Sequence, residues 1–149
     1  KKWDKSNYRI TRSNGVLEIK YPYQESLLSD IVQNRIRLEI EKTWKLEAEK
    51  HFPKAFHQLA ENYGFKYNSL TIKNVKSKWG SCSYHNDIIL SLHLMRLPKH
   101  LIKYVMLHEL CHTKEKNHQA PFWNLMSSVT NKQAKKLDKE LKEYRTKIY

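Results

Sequence analysis

The stretch HELCH, His108–His112, decides the fold that the sequence predicts. Two histidines four residues apart lie on one face of an α-helix, so both imidazoles can reach one ion. Glu109, beside the first histidine, is then placed to act on a water molecule at that ion. A catalytic zinc site commonly has three protein ligands, and His118 lies six residues beyond His112. We therefore predict that His108, His112 and His118 bind Zn²⁺ and that Glu109 is the general base.

The spacing from His112 to His118 requires the chain to turn. On a continuous helix six residues would rotate His118 by about 240° away from His112. The segment 114–117 is predicted to supply this turn, since lysine suits a helix C-terminus and Asn117 tolerates the left-handed conformation. Glu115 is a rival ligand, but it lies only three residues after His112 and would have to reach along the helix. The metzincin pattern has the same spacing with a glycine at the position of Glu115, so we do not predict a metzincin.

Further from this stretch, turn and capping residues divide the chain into predicted elements. Ser13-Asn14-Gly15 predicts the turn of a β-hairpin within residues 1–25. Residues 26–64 have helical spacing, with Ser26 or Ser29 as the N-cap, a kink or restart at Pro53, and a stop at Gly64. The runs 69–75, 79–83 and 88–92 are short, β-branched or aromatic, and predict a small antiparallel sheet. Helices are predicted to follow Pro98, Pro121 and Asn131.

These elements predict an α+β fold in which the small antiparallel sheet packs on the active-site helix between flanking helices. We expect a single domain, 1–149, with an N-terminal β-hairpin at 1–25, a helical region at 26–64 and a zinc-binding catalytic core at 65–149. The length of 149 residues fits one domain, and 40% hydrophobic residues with 3 Gly and 4 Pro exclude a disordered chain. No apolar run approaches the roughly 20 residues that span a bilayer, so no membrane partner is expected.

Charge and cysteine content restrict the partners and the compartment. The formal charge of +13 favours anionic partners, with non-specific nucleic acid at the basic surface as one alternative. Most of the 28 basic residues are lysines, which disfavours sequence-specific reading of bases. Two cysteines, Cys82 and Cys111, are too few for a disulfide framework, so we expect a reducing, cytoplasmic location.

Three motifs occur in order along the chain: KSKWGSC at Lys76–Cys82, HELCH at His108–His112, and NHQAPFW at Asn117–Trp123. Together they resemble the YgjP-like metallopeptidase family, which is related to the SprT and WLM zincins. The resemblance covers residues 46–123 and, more loosely, the hairpin and the first helix. It implies a small zincin-like minimal metalloprotease fold, zinc held by the three histidines named above, and Glu109 as catalytic acid/base. Some members are also credited with a nucleoside triphosphate diphosphatase activity, notably on UTP.

Residues on either side of the histidines are candidates for substrate binding and for support. The strand containing Trp79 and Ser81, or the strand 88–92, could flank the cleft and pair with an extended peptide, and Lys76 and Lys78 could face a phosphate or carboxylate. The alternative for Trp79 is a packing role in the core. The alternative for the two lysines is that they are solvated residues at a strand edge. Asn117, Phe122 and Trp123 are expected to support the loop that bears His118.

Three functions remain open at this point. The first is a zinc-dependent metallopeptidase that cleaves peptide bonds in a peptide or protein substrate. The second is a metal-dependent nucleoside triphosphate (UTP) diphosphatase that uses the same ion. The third is a basic, nucleic-acid-associated protein with structural zinc, which an open coordination position and an intact Glu109 disfavour.

Overall fold

The computed structural model describes residues 1–144, which fall into two compact units, Lys1–Leu46 and a second unit that begins at Glu47. Residues 145–149 of the predicted catalytic core lie outside the described part. The elements are β1 (Lys2–Trp3), β2 (Arg9–Ser13), β3 (Val16–Pro22), α1 (Asp30–Tyr63), β4 (Ser69–Lys73), β5 (Gly80–Cys82), β6 (Asp87–Ser91), a 3₁₀ helix (Leu92–Arg96), α2 (Lys99–Cys111), α3 (Ala120–Val129) and α4 (Ala134–Leu141).

The first unit contains the predicted hairpin. Strands β2 and β3 pair antiparallel, and the turn between them has Asn14 at φ 50° and Gly15 at φ 73°, as a two-residue type I′ turn requires. Strand β1 adds in parallel to β3, a pairing that the sequence did not predict. The carboxylate of Glu39 is buried in this unit and forms ion pairs with Arg12 at 2.6 Å and Arg35 at 3.2 Å.

Helix α1 begins and ends at the residues that the sequence singles out. The Ser29 hydroxyl accepts a hydrogen bond from the amide of Val32 at 3.3 Å, so Ser29 is the N-cap. Gly64 ends the helix in the left-handed conformation at φ 72°. The predicted restart at Pro53 is wrong, because helix α1 runs without interruption from Asp30 to Tyr63, whereas the kink stays a prediction. The buried Phe52 and Phe56 on either side of Pro53 anchor this turn of the helix.

The second unit contains a three-stranded sheet with the order β4-β6-β5. It confirms the predicted strands but is mixed rather than wholly antiparallel, because β4 pairs parallel to β6 while β5 pairs antiparallel to it. The reason is the connection 74–79, which carries the chain to the far edge of the sheet. Strand β6 then returns between the two edge strands.

Helix α2 contacts the edge strand β5, helix α3 and helix α4. It begins after Pro98, as predicted, and its C-cap is His112. The side chains with no more than 2% exposure that form the centre of this core include Leu90, Leu101, Tyr104, Met106, Leu110, Phe122 and Met126. The predicted α+β class is confirmed. None of the helices within residues 1–144 has the length and apolar character needed to cross a bilayer.

Candidate active site

The three histidines of the sequence motif converge on one point. His108 and His112 come from the last turn of α2 and its C-cap, and His118 comes from the loop before α3. Their Nε2 atoms form a nearly equilateral triangle, with His108 to His112 at 3.1 Å, His112 to His118 at 3.0 Å and His118 to His108 at 3.2 Å. Among residues 1–144 this is the group of side chains whose ligand atoms are arranged to hold a metal ion.

The geometry of this triangle fits a tetrahedral metal ion. Zn–N distances of roughly 2.0 to 2.1 Å place neighbouring ligand nitrogens about 3.3 Å apart. The three observed separations, 3.0 to 3.2 Å, are slightly shorter than this edge. Three imidazoles are also the donor set of a catalytic zinc site, in which the fourth position takes water or substrate.

The tautomer and the protonation state of the imidazoles also fit metal binding. Nδ1 of His112 lies 2.8 Å from the carbonyl oxygen of Glu115, and this contact assigns its proton to Nδ1. The lone pair of its Nε2 therefore faces the other two rings. Burial lowers the pKa of His108 to about 3, with the neighbouring His112 as a second cause, and burial also lowers the pKa of His112. Both side chains are therefore neutral near pH 7, which is the form that binds metal.

Glu109 is the adjacent carboxyl, and it is buried at 5% exposure. Its Oε2 has no hydrogen-bond partner among residues 1–144. Burial raises its pKa to about 7, while the positive charge of Lys78 acts in the opposite direction. A buried, unpaired carboxylate is costly unless something else interacts with it, which marks this group as available for chemistry.

Gly80 of strand β5 is the residue that lets the sheet approach Glu109. A Cβ at this position would lie 3.0 Å from the carbonyl oxygen of Ile89 and 3.1 Å from Cγ of Glu109. A glycine within a strand permits such a close backbone approach. The structure identifies the catalytic-site candidate Glu109 as the side chain that is approached.

The loop 113–119 turns the chain as the spacing from His112 to His118 requires. Helix α2 ends at Cys111, and the amides of Lys114 and Glu115 both hydrogen-bond to the carbonyl of Cys111. Asn117 does not adopt the expected left-handed conformation, since it is absent from the positive-φ residues of the described chain. Its side chain instead accepts a hydrogen bond from the amide of Gln119 at 3.1 Å, which forms an Asx turn just before α3.

Aromatic rings of α3 pack against all three histidines. The buried Phe122 stacks on His112 with ring centroids 4.5 Å apart and lies 4.9 Å and 5.0 Å from His108 and His118. Trp123 lies 6.5 Å from His118, and the ammonium of Lys135 lies 3.4 Å above the Trp123 ring. These contacts restrict the imidazole orientations.

The predicted substrate residues are distributed unevenly around the site. A cavity of about 160 Å³ borders His108 and Glu109, and its lining also contains Trp79, Gly80, Tyr104, Val105, Asp138 and Leu141. Ser81 is half-buried on β5, opposite Ile89. Lys78 is exposed but near enough for its charge to act on Glu109, and Lys76 is exposed outside the described lining of the cavity.

Sequence reasoning missed three contributors to this site. Tyr104 donates a hydrogen bond to Asp138 at 3.1 Å, and the Asp138 charge raises the pKa of His108 against the effect of burial. Asp138 lies among lysines in helix α4, and the helical spacing of that segment indicates its apolar face but gives no role to Asp138. Glu115 was considered for its side chain, whereas its backbone carbonyl is the partner of His112. Lys116 is the third, and no pattern in the sequence distinguished it from other exposed lysines.

Comparison with known proteins follows this geometry. Residues 4–144 match a protein family described as "YgjP-like, metallopeptidase domain". The chain belongs to the YgjP-like metallopeptidase family. Membership supports a metal-dependent peptidase, and therefore an enzyme. No curated protein matches this YgjP-like chain significantly.

Solved structures show the same fold. The metallopeptidase zymogen abylysin of Pyrococcus abyssi is 21% identical, with a TM-score of 0.53 over 61% of this chain and 92% of that one. The metallopeptidase zymogen jannalysin of Methanocaldococcus jannaschii is also 21% identical, with a TM-score of 0.52 over 61% of this chain and 93% of that one. At this identity the likeness establishes the fold, and the reaction is argued from the residues of the site.

Proposed function

We propose that this YgjP-like protein is a zinc-dependent peptidase in which His108, His112 and His118 bind the ion and Glu109 is the general base. The convergence of three Nε2 atoms within 3.2 Å of one another, beside a buried carboxyl with an unpartnered oxygen, supports this proposal most strongly. A zinc ion bound there supplies Lewis-acid charge that polarises a carbonyl oxygen and acidifies water.

Glu109 holds and moves the proton in this scheme. Its Oε2 is unpartnered within the described chain, so it can accept a proton from the attacking water. The same group can then donate that proton to the nitrogen of the departing amine. In the metal-free protein burial raises the pKa of this carboxyl to about 7, so its surroundings favour the protonated form that donation to the amine requires.

Strand β5 supplies a route for positioning a peptide. Within the described residues it pairs with β6 alone, whereas β6 is paired on both sides by β4 and β5. Of the two strands considered from the sequence, β5 is therefore the one with an edge available for β-addition of an extended peptide. Because Gly80 contacts Glu109, a peptide on this edge would run beside the carboxyl.

The lining of the cavity beside Glu109 favours a peptide over a nucleotide. Its described residues include Trp79, Tyr104 and Leu141 together with the carboxylate of Asp138, and no lysine. A triphosphate needs several cations to neutralise its charges, whereas Lys78, whose charge acts on Glu109, lies outside this lining. The diphosphatase is therefore the less favoured alternative, and the experiment includes UTP as a substrate to test it.

The experiment compares the wild type with Glu109→Gln, His118→Ala and the control Glu115→Gln, on an unstructured protein and on UTP. Glu109→Gln should keep its zinc and lose about 100-fold or more in proteolysis, while His118→Ala should lose zinc and activity together. Glu115→Gln should retain both, because its backbone carbonyl makes the contact with His112. Proteolysis by Glu109→Gln at the wild-type rate would refute the assignment, and Glu109-dependent turnover of UTP alone would support the diphosphatase.

We also propose a reducing, cytoplasmic location. Both cysteines are free thiols, with Cys111 buried and Cys82 partly buried. Unpaired cysteines are characteristic of reducing compartments. Mass spectrometry of the protein from its native source should find both thiols unoxidised, and a disulfide between two chains would contradict the proposal.

A further inference from the structure

The weakest part of the proposed ligand set is the loop that bears His118. His108 and His112 are fixed by helix α2, whereas His118 is exposed and lies between α2 and α3. Ordering a loop residue costs conformational entropy, which lowers the affinity for whatever the ordered residue binds. Affinity for a metal therefore depends on what holds this loop in place before the ion binds.

Lys116, two residues before His118, joins the loop to the turn between β5 and β6. Its ammonium donates to the carbonyl oxygen of Ser83 at 2.9 Å and to the side-chain oxygen of Asn86, and it lies 3.8 Å from Sγ of Cys82. The ammonium also lies 6.0 Å from the centre of the Tyr84 ring. One side chain thus makes four contacts within a single turn of the sheet.

The turn 83–86 is itself well fixed, so it can serve as an anchor. Asn86 adopts the left-handed conformation at φ 65°, and its amide hydrogen-bonds to the carbonyl of Ser83 at 3.0 Å. The carbonyl of Asn86 accepts a hydrogen bond from the amide of Asn68 at 2.8 Å. Asp87, which follows, donates its amide to the Ser83 hydroxyl at 3.0 Å.

We propose that Lys116 is a positioning residue for the metal site, because it fastens the loop of His118 to the β5–β6 turn. The inference rests on the proposed function in one respect, namely that His118 is a ligand. Lys116 touches neither the ion nor the substrate in this account. It holds the His118 imidazole beside the two imidazoles of helix α2 before the ion binds. The loop therefore loses less conformational freedom when the metal binds.

The test measures zinc affinity by competition with a chromophoric chelator, using the full chain. Lys116→Met should weaken zinc binding about 10-fold or more, as the loss of a supporting contact near a metal site commonly does. Lys116→Arg, which preserves the charge and the donors, should restore much of the affinity. Lys114→Met is the matched control from the same loop, because the Lys114 ammonium lies over Phe65 instead.

Two further measurements separate positioning from general destabilisation. The visible absorption of the Co²⁺-substituted Lys116→Met protein should lose intensity relative to the wild type, because the third imidazole is held less firmly, whereas Lys114→Met should keep the wild-type spectrum. Asn86→Ala removes the acceptor on the opposite side and should weaken zinc binding without adding to the effect of Lys116→Met. Asn86→Ala also provides the test if Lys116→Met fails to fold.

The outcomes distinguish this inference from the proposed function. If His118→Ala loses zinc while Lys116→Met and Asn86→Ala bind it like the wild type, the positioning role is overturned and the ligand set stands. If His118→Ala binds zinc like the wild type, the ligand set is wrong and the role of Lys116 falls with it.

Discussion

Replacing Gly80 by alanine is the perturbation whose effect on this site can be worked out most directly. The added Cβ would lie 3.0 Å from the carbonyl oxygen of Ile89, 3.1 Å from Cγ of Glu109 and 3.3 Å from Cδ2 of Leu90. Carbon atoms in proteins pack at about 3.5 to 4.0 Å, so all three contacts are too short. The Leu90 methyl group can move, but the Ile89 carbonyl belongs to the paired strand β6.

The expected magnitude follows from these contacts. Overpacking of this kind costs typically about 1 to 3 kcal/mol, which corresponds to a fall in Tm of roughly 2 to 12 °C for a chain of this size. Relief of the contact with Cγ must also displace the Glu109 carboxyl by a few tenths of an ångström. Since a misplacement of about 1 Å can cost 100-fold in rate, we expect kcat to fall about 10-fold.

The assay is thermal unfolding together with kcat on an unstructured protein substrate, with zinc content measured in parallel. Gly64→Ala is the control, because Gly64 has φ 72° and nothing within 4 Å of an added Cβ. It should lose about 1 kcal/mol through backbone conformation alone and keep the wild-type kcat. A Gly80→Ala protein with unchanged Tm and kcat would refute the reasoning, as would equal losses of kcat in both variants.

Three other outcomes are expected. In the metal-free protein, burial raises the pKa of Glu109 from 4.5 to about 7, so ionisation of this group reduces stability as the pH rises through this window. Glu109→Gln should therefore be more stable than the wild type by up to about 3 kcal/mol at pH 8 and equally stable below pH 4.5, as urea titrations would reveal. Phe122→Ala should lower both stability, by about 3 to 5 kcal/mol, and zinc affinity, whereas the equally buried Phe56→Ala should lower stability alone. Trp123→Ala should speed zinc loss to a chelator, and an unchanged rate would show that this ring does not restrain His118.

Local signals in the sequence were sufficient for most of the elements. The left-handed pair Asn14-Gly15, the Ser29 cap and the Gly64 stop each act over a few residues, so their effect can be read without the tertiary structure. The continuity of α1 through Pro53 could not be predicted in this way, because it depends on the packing of buried side chains on either side of the proline. The parallel pairing of β4 with β6 was missed for a related reason: nothing in a short strand specifies which neighbour the connection will reach.

The candidate site likewise contains residues that the sequence predicts and residues that it does not. His108, Glu109 and His112 follow from helical spacing, and the six-residue step to His118 requires a turn whatever the fold. The contacts of Lys116, Asp138 and the Glu115 carbonyl join segments far apart or atoms common to every residue. A single sequence does not indicate such contacts, and the three-dimensional structure is needed to find them.

X-ray absorption at the zinc edge, on purified protein loaded with one equivalent of Zn²⁺, tests the central claim most directly. The account predicts three imidazole nitrogens and one further light atom at roughly 2.0 to 2.1 Å in the wild type, and no zinc retained by His118→Ala. A sulfur scatterer at about 2.3 Å, or only two imidazoles in the wild-type protein, would contradict it.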